Sequence, residues 1–306
     1  MTDLVPDLIE NLKLYNESEN DLKQLAKEEI NRLVGKLDFS EPEDSKNAIL
    51  EIRAGTGGEE AELFAGELAR MYLKYFDKKG IRATITDRSD TPIGGVKQIV
   101  MSLTGRDAYG EMKFEGGVHR VQRVPKTEKS GRLHTSAATV VVLPEIEEKL
   151  IEIRPDEIRV DVFRSSGHGG QSVNTTDSAV RITHLPTGMI VTCQDEKSQI
   201  KNREKAMKEL RSRLWQKQQE QELKESSEKR LSMIGSGDRS EKIRTYNFPQ
   251  DRITDHRISK SWSNIEKILD GFMDPIIADL HHADKKIKLE NILAEEGLKL
   301  PENEAI

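Results

Sequence analysis

A set of short strand-like segments surrounding one amphipathic helix constrains the fold most strongly. Segment 61–79 carries apolar residues at helical spacing, and its expected buried side consists of Leu63, Phe64, Leu68, Met71, Tyr72 and Tyr75. The flanking segments are apolar or alternating and are separated by glycine-rich turns, as strands are; they span 48–53, 81–85, 96–103, 116–124 and 137–143. Several strands with a helix on one face predict an α+β fold.

A second α+β domain is predicted after a boundary near residues 144–155. Segment 159–164 alternates as a strand, and 179–184 and 189–194 form a predicted hairpin around a Pro-Thr-Gly turn. Segment 198–233 is rich in Lys, Arg, Glu and Gln and predicts a helix on the order of 50 Å long at 1.5 Å per residue. Its thin apolar stripe is Ala206, Met207, Leu210 and Leu214.

Helices are also predicted at both ends of the chain. Residues 1–36 show helical spacing but are short and acidic, so we expect them either to pack against another part of the protein or to move. Tyr246-Asn247-Phe248-Pro249 indicates a polar-aromatic loop, and 265–280 a last amphipathic helix. The predicted multidomain division is a shortened helical N-terminal domain (1–45), an α+β module (46–150 plus 240–270), a separate α+β domain (151–239) and a C-terminal helical segment (271–306).

Charge is unevenly distributed over the 306 residues, whose net charge is -6. Residues 1–50 hold 12 acids and 6 bases, whereas 197–213 hold seven bases and two acids. Local fields decide where an anionic polymer docks. A solvated helix face explains the basic run equally well, so the charge alone leaves both interpretations open.

Composition also bears on compartment and cofactors. No run of 18 apolar residues occurs and the N-terminus lacks signal-peptide features, so we expect a cytoplasmic protein without a membrane span. Cys193 is the only cysteine, which excludes an internal disulfide, and we expect it in a strand core. His256, His281 and His282 lack the spacing of a zinc site, so neither a metal nor another cofactor is predicted.

The loop Gly167-His168-Gly169-Gly170-Gln171 is the first candidate site. Its glycines permit backbone angles closed to other residues, but taken alone they favour a plain hairpin tip. Gln171 supplies an amide without a useful pKa, so it cannot be a general base. It suits positioning water or stabilising charge together with backbone N–H groups. His168 has no partner carboxylate pattern, which favours a loop side chain over a catalytic base.

Two further loops carry polar groups. Gly55-Thr56-Gly57-Gly58 lies between a strand and a helix but lacks the Lys and Ser/Thr of a P-loop. Glu59 and Glu60 follow it and suit the helix dipole. Pro125-Lys126-Thr127 lies in a predicted loop with His134-Thr135-Ser136 on its far side, and such groups can read base edges or stack on a base. A capped helix start and an ordinary surface loop remain the alternatives.

Together these motifs resemble bacterial class I peptide chain release factors. The resemblance covers residues 48–277, and its most specific part is the run from Arg164 to Ala179, similar to the family's peptidyl-transferase-centre loop. Gly235-Ser236-Gly237-Asp238-Arg239-Ser240 and Arg244-Thr245-Tyr246-Asn247-Phe248-Pro249-Gln250 are similar to its second signature. The Pro-x-Thr form at Pro125–Thr127 resembles the subtype that reads UAA and UAG.

The resemblance implies translation termination: recognition of a stop codon in the ribosomal A site and hydrolysis of peptidyl-tRNA. Its implied codon-binding residues are Gly57, Glu60, Gln122, Pro125, Thr127, His134 and Thr135. Thr127 would contact the first and second bases, and Gly57 and Glu60 would complete recognition of the first uridine. His134 would stack between the second and third bases.

The third base is assigned to Gln122 and Thr135 by the same resemblance. In the hydrolytic loop it implies that Gly169 and Gly170 permit the backbone shape and that the Gln171 N–H stabilises the transition state. The Gln171 side chain would select water and would be N5-methylated by a release-factor glutamine methyltransferase. The resemblance also implies a monomer that binds the decoding and peptidyl-transferase centres and cooperates with the release-factor GTPase.

Other functions are compatible with parts of the sequence. A codon-independent ribosome-rescue hydrolase shares the Gly-Gly-Gln loop, although such proteins usually lack the module with Pro125 and His134. A stand-alone hydrolase would use His168 as its base. A non-catalytic RNA-binding protein would use the basic face of 197–213 but leaves Gln171 unexplained. Since the ribosome would supply much of the catalytic environment, we do not expect the isolated protein to be an enzyme.

Overall fold

The protein is described from a computed structural model. The structure describes residues 4–125, 128, 131–146, 153–163, 178–196, 198–235 and 237–300. The chain divides into two compact units, one of residues 1–145 with 230–306 and the other of residues 146–229. Both contain helices and strands, so the α+β class predicted from the sequence is confirmed.

The described residues contain seven α-helices and eleven strands. The helices are α1 (Val5–Glu17), α2 (Asn20–Lys36), α3 (Glu59–Lys79), α4 (Ala108–Met112), α5 (Gln199–Ile234), α6 (Ile265–Leu269) and α7 (Asp274–Glu295). The strands are β1 (Ala48–Ala54), β2 (Arg82–Asp90), β3 (Val96–Thr104), β4 (Gly117–Arg123), β5 (His134–Pro144), β6 (Ile158–Phe163), β7 (Ala179–His184), β8 (Met189–Cys193), β9 (Lys242–Asn247), β10 (Arg252–Asp255) and β11 (Lys260–Ser263).

The larger unit is built on an eight-stranded sheet with the order β11-β10-β9-β4-β5-β1-β3-β2. All neighbours are antiparallel except β4 and β9, which run parallel. Helix α3 packs on this sheet and buries Phe64, Leu68, Tyr72 and Tyr75. Its predicted buried face is therefore confirmed, apart from Leu63, which is only half-buried.

The smaller unit has a three-stranded sheet with the order β6-β7-β8. Helix α5 packs on this sheet through its apolar stripe, with Ala206, Leu210 and Leu214 against Val180 and Ile182. Met207 packs at the edge of the same cluster. Cys193 is 6% exposed at the end of β8, as predicted for a core residue.

Helices α1 and α2 do pack against another part of the larger unit, which is one of the two outcomes expected from their short acidic sequence. Leu8 and Leu12 of α1 and Ile30 of α2 share a core with Leu289 and Leu293, which lie in the last turns of α7. The N-terminal pair and the C-terminal helix thus bury each other's apolar faces.

Two sequence predictions for the C-terminal part are wrong. Tyr246 is not in a loop: it is fully buried in β9, a strand that the polar sequence 242–247 did not reveal, and β10 and β11 were also missed. The predicted helix 265–280 is two helices, because the chain turns at Gly271 with φ +86. A Cβ at Gly271 would lie 2.9 Å from the backbone nitrogen of Tyr75, so the turn fits tightly against α3.

A buried ion network fixes β9 in the sheet. The Arg244 guanidinium donates two parallel hydrogen bonds of 2.7 Å to Glu115 and two of 3.2 Å to Oδ2 of Asp255. All three side chains are fully buried, and the Tyr72 hydroxyl of α3 donates to Glu115 at 2.8 Å. Burial disfavours the Glu115 carboxylate, but attraction and hydrogen bonding from Arg244 outweigh it and hold the pKa of Glu115 below its ordinary value.

Replacing Arg244 with methionine should therefore destabilise the protein strongly. The substitution keeps most of the apolar stem but leaves two carboxylates buried without their shared cation, which costs about 3–5 kcal/mol. Urea unfolding at pH 7 measures the loss. Arg88→Met is the matched control, because Arg88 pairs with Asp90 on an exposed surface, where such pairs contribute below about 1 kcal/mol. Equal losses for the two variants would contradict this account.

Candidate functional site

The tip of α3 is attached to the start of β5. The Gly55 N–H donates to the Ala137 carbonyl and the Ala137 N–H donates to the Thr56 carbonyl, both at 2.9 Å. Gly57 has φ +143, and a Cβ there would lie 2.3 Å from Oγ of Ser136. Glycine is therefore required at this close approach, which brings the N-terminus of α3 beside the first residues of β5.

Strands β4 and β5 place two of the predicted base-reading side chains, those of Gln122 and Thr135, next to one another. Gln122 pairs directly with Thr135, and Arg123 pairs with His134. Directly opposed residues of an antiparallel pair project from the same face, so the Gln122 amide and the Thr135 hydroxyl lie side by side. His134 and Thr135 are thus the first residues of a strand rather than part of the predicted loop, and the His134 side chain is 43% exposed.

Arg123 anchors Glu60 within the helix tip. Its Nε donates to Glu60 at 2.5 Å and its Nη1 donates to Glu67 of the same helix at 2.6 Å. The guanidinium also lies 5.0 Å from the centre of the Phe248 ring, a cation–π distance. Burial opposes the charge of Arg123, but the bonds to Glu67 and Glu60 outweigh it and raise the pKa of Arg123 above its ordinary value.

The Glu60 carboxylate is turned into this cluster. Its side chain is 4% exposed, and Oε2 has no hydrogen-bond partner among the described residues. No side chain caps α3, and the first N–H groups of a helix have no intrahelical acceptor. Glu60 therefore orients the helix tip, which leaves backbone donors available to an incoming acceptor.

His134 is held from one side by Glu128. Its Nε2 lies 2.8 Å from Oε2 of Glu128, and the Glu128 N–H donates to the Pro125 carbonyl at 3.1 Å. Pro125 is buried at the end of β4. The imidazole ring is thus oriented by a carboxylate while nearly half of its surface remains available for stacking.

The structure brings together six of the predicted site residues: Gly57, Glu60, Gln122, Pro125, His134 and Thr135. Thr127, together with His168 and the loop residues Gly169, Gly170 and Gln171, lies outside the described residues. Sequence reasoning missed Arg123, Glu128 and Phe248. The sequence offered one signal for Arg123 and Glu60, since they carry opposite charges on two predicted elements. That these two charges form an ion pair is seen only in the tertiary structure.

The chemistry of this cluster suits recognition rather than catalysis. It offers an amide, a hydroxyl, an imidazole and backbone donors, the groups that bind bases on their polar edges and by stacking. Across the part of the chain that is described, no three His, Cys, Asp or Glu residues are arranged to hold a metal ion. Among the described helices, none combines the length and apolar character needed to cross a bilayer.

Sequence comparisons identify the chain's relatives. The PCRF domain matches residues 2–140 and the RF-1 domain matches residues 144–257. Peptide chain release factor 1 of Thermotoga maritima is 53% identical over 288 residues, which cover 94% of this chain and 84% of that protein. Peptide chain release factor 1 of Desulforudis audaxviator is 52% identical over 290 residues, covering 91% of this chain and 82% of that protein.

A solved structure is also similar. RF2 of Thermus thermophilus aligns with a TM-score of 0.50 and 37% sequence identity, over 90% of this chain and 80% of that chain. The chain therefore belongs to the peptide chain release factor 1 family, and it terminates translation by recognising a stop codon and promoting hydrolysis of peptidyl-tRNA.

Proposed function

We propose that this chain reads UAA and UAG in the decoding centre of the ribosomal A site through the cluster at the tip of α3 and the start of β5. The observation that carries the proposal is the convergence of Gly57, Gln122, His134 and Thr135 on one end of the sheet. Four different polar groups at this end match three consecutive bases better than they match a single small molecule.

The first base is assigned to the helix tip and to Thr127. Uracil presents two carbonyl acceptors, and the backbone N–H groups at the N-terminus of α3 are donors of the required kind. Because Glu60 is bound by Arg123, its carboxylate does not compete with the base for these donors. Pro125 restricts the backbone of the segment that leads to Thr127.

The second and third bases are assigned to β4 and β5. The exposed ring of His134 stacks between them, with Glu128 setting the ring's orientation. The neighbouring Gln122 amide and Thr135 hydroxyl contact the third base. An amide and a hydroxyl each donate and accept, so this pair accommodates either A or G.

We assign hydrolysis to the Gly169-Gly170-Gln171 loop because its sequence resembles the peptidyl-transferase-centre loop of the family. The Gln171 N–H stabilises the transition state, and its side chain, N5-methylated by a release-factor glutamine methyltransferase, selects water. The peptidyl-transferase centre supplies the rest of the catalytic environment, so the protein acts only on the ribosome. We assign the monomer to the cytoplasm, with the release-factor GTPase as a further partner.

A codon-independent rescue hydrolase is the alternative function. It would need the Gly-Gly-Gln loop but no groups that distinguish bases. The paired Gln122 and Thr135 and the oriented His134 have no role in that alternative.

Codon specificity tests the reading site. With ribosomes carrying peptidyl-tRNA and UAA, UAG, UGA or a sense codon in the A site, we expect rapid release on UAA and UAG and slower release on the other two. Base discrimination of about 1–3 kcal/mol corresponds to a rate difference of roughly 5- to 150-fold against UGA. Strong release on UGA would refute the subtype, and equal release on the sense codon would support the rescue hydrolase.

The anchoring of Glu60 is tested by Arg123→Met. This variant leaves a buried carboxylate without its cation, so we expect a loss of about 3 kcal/mol in the free energy of unfolding and weaker release on UAA. Adding Glu60→Gln removes that charge and should restore part of the stability. Lys74→Met is the control, because Lys74 lies on the same helix as Glu60 and forms an exposed ion pair with Asp270, which follows α6. Strictly additive losses in the double variant would contradict the pairing.

The hydrolytic loop is tested by Gly170→Ala. A methyl group restricts the backbone angles that glycine allows, so we expect hydrolysis to fall by at least about 100-fold, the effect of losing one oxyanion donor. Binding to UAA-programmed ribosomes should be unchanged. Hydrolysis at the wild-type rate would remove the loop from the mechanism, whereas lost binding would indicate a misfolded domain.

A further inference from the structure

The first half of α5 has an outer face that neither the packing of the smaller unit nor the proposed codon reading uses. Lys201, Lys208, Arg211 and Trp215 are separated by seven, three and four residues, so they fall within about 80° of arc on a helix of 3.6 residues per turn. All four are exposed, and Trp215 is 52% exposed. The buried stripe of Ala206, Leu210 and Leu214 lies on the other side. We call this surface the Trp215 face.

The cations of the Trp215 face form no ion pair with any residue that the structure describes. Two neighbouring bases on the same helix do form ion pairs: Lys205 pairs with Glu196 at 2.7 Å, and Arg213 pairs with Glu209 at 2.5 Å. Lys201, Lys208 and Arg211 have no carboxylate within 4.0 Å among the residues that the structure describes. One acid, Glu204, shares the face and is likewise without an ion pair there, which leaves the face a net charge of +2.

An exposed tryptophan beside unpaired cations has a specific chemical meaning. A single exposed apolar side chain is ordinary on a protein surface, but Trp215 shares its helix face with three cations that form no ion pair with the described residues. Phosphates match the three cations, and a nucleobase matches the indole ring, since every base has a face that stacks on an aromatic side chain. An acidic peptide would satisfy the cations but would leave the indole without a planar partner.

We propose that the Trp215 face is an RNA-docking surface. Lys201, Lys208 and Arg211 bind separate phosphates along one strand, and Trp215 stacks on an unpaired base at the end of that row. The face is about 21 Å long at 1.5 Å per residue. At one phosphate per 3.4 Å of strand, it covers roughly six nucleotides.

This docking surface is independent of codon reading. A chain that failed to distinguish stop codons would still bind RNA through α5, so the test uses RNA without ribosomes. The probe is a 12-nucleotide oligouridylate, whose bases stack little on one another, at low salt.

Tryptophan fluorescence reports directly on the proposed contact. The chain has two tryptophans, and Trp262→Phe leaves Trp215 as the only one. In the full-length Trp262→Phe protein we expect saturable quenching by the oligonucleotide. The logarithm of affinity should fall with the logarithm of salt concentration with a slope of about -2, as three phosphate contacts at about 0.7 each predict.

Matched variants separate charge from stacking. Lys208→Gln with Arg211→Gln should weaken binding at least about tenfold and reduce the slope by about 1.4. Lys205→Gln with Arg213→Gln removes the same charge from paired positions and should change affinity less than about threefold. Glu204→Gln should tighten binding. With binding measured by anisotropy of a labelled oligonucleotide, Trp215→Ala should weaken it at least about fivefold, and Trp215→Phe should retain most of the affinity.

Three results would overturn the proposal. One is that the oligonucleotide does not quench the fluorescence of the Trp262→Phe protein at low salt, although the circular dichroism of that variant is native. Another is an equal loss from the two glutamine pairs, which would reduce the effect to general charge. The third is a 12-residue polyglutamate that binds as tightly and depends equally on Trp215, which would assign the face to an acidic protein.

Discussion

The rest of the larger unit depends on the buried contact between Arg244 and Glu115. A buried ion pair is weak evidence for stability, because removing two charges from water costs about as much as their attraction returns. The pair instead contributes to specificity, because it excludes other registers of β9 along β4. Any register that moved β9 along β4 would separate Arg244 from Glu115 and leave the Glu115 carboxylate buried without a cation. The contact therefore selects one register for the only parallel pair in the described sheet.

The surrounding groups reinforce that selection. His119, opposite Arg244 in the register, is fully buried, and its burial and the nearby Arg244 lower the pKa of His119 to about 4. The ring is therefore neutral at pH 7, and its Nε2 lies 3.0 Å from the Glu115 carbonyl oxygen. A second cation beside Arg244 would oppose the network, whereas a neutral imidazole fits it.

The register of β9 reaches the candidate site through Phe248. Once Arg244 fixes β9, the strand ends at Asn247 opposite Gln122, and Phe248 follows immediately. Its ring then lies by Arg123, which holds Glu60 and through it the tip of α3. The base-reading residues are thus positioned by contacts between segments 63 to 129 residues apart in the chain. This explains why an aromatic residue that contacts no predicted base belongs to the sequence signature.

The sequence predicts those parts of the molecule whose signal is local. Helix α3, the hairpin of β7 and β8 and the stripe of α5 follow from apolar periodicity, because each buries one face against a neighbour. Strand β9 could not be predicted in this way. Its residues Arg244 and Thr245 are polar and yet buried, since they are satisfied by distant partners rather than by exposure. The same limit applies to the site: motifs identified Gly57 and His134, but the Arg123–Glu60 contact depends on tertiary structure.

The net charge of the chain does not show which of its charged groups form ion pairs and which do not. The chain carries a net charge of -6, which argues against an RNA-binding protein if every charge is counted equally. Yet Glu60, Glu115 and Asp255 are buried against arginines and present no charge to a ligand. The cations on α5 that form no ion pair with the described residues face solvent. Such exposed charges set the electrostatic field that an approaching phosphate meets. Which charges remain unpaired at the surface, rather than their sum, therefore decides whether an acidic chain can bind a nucleic acid.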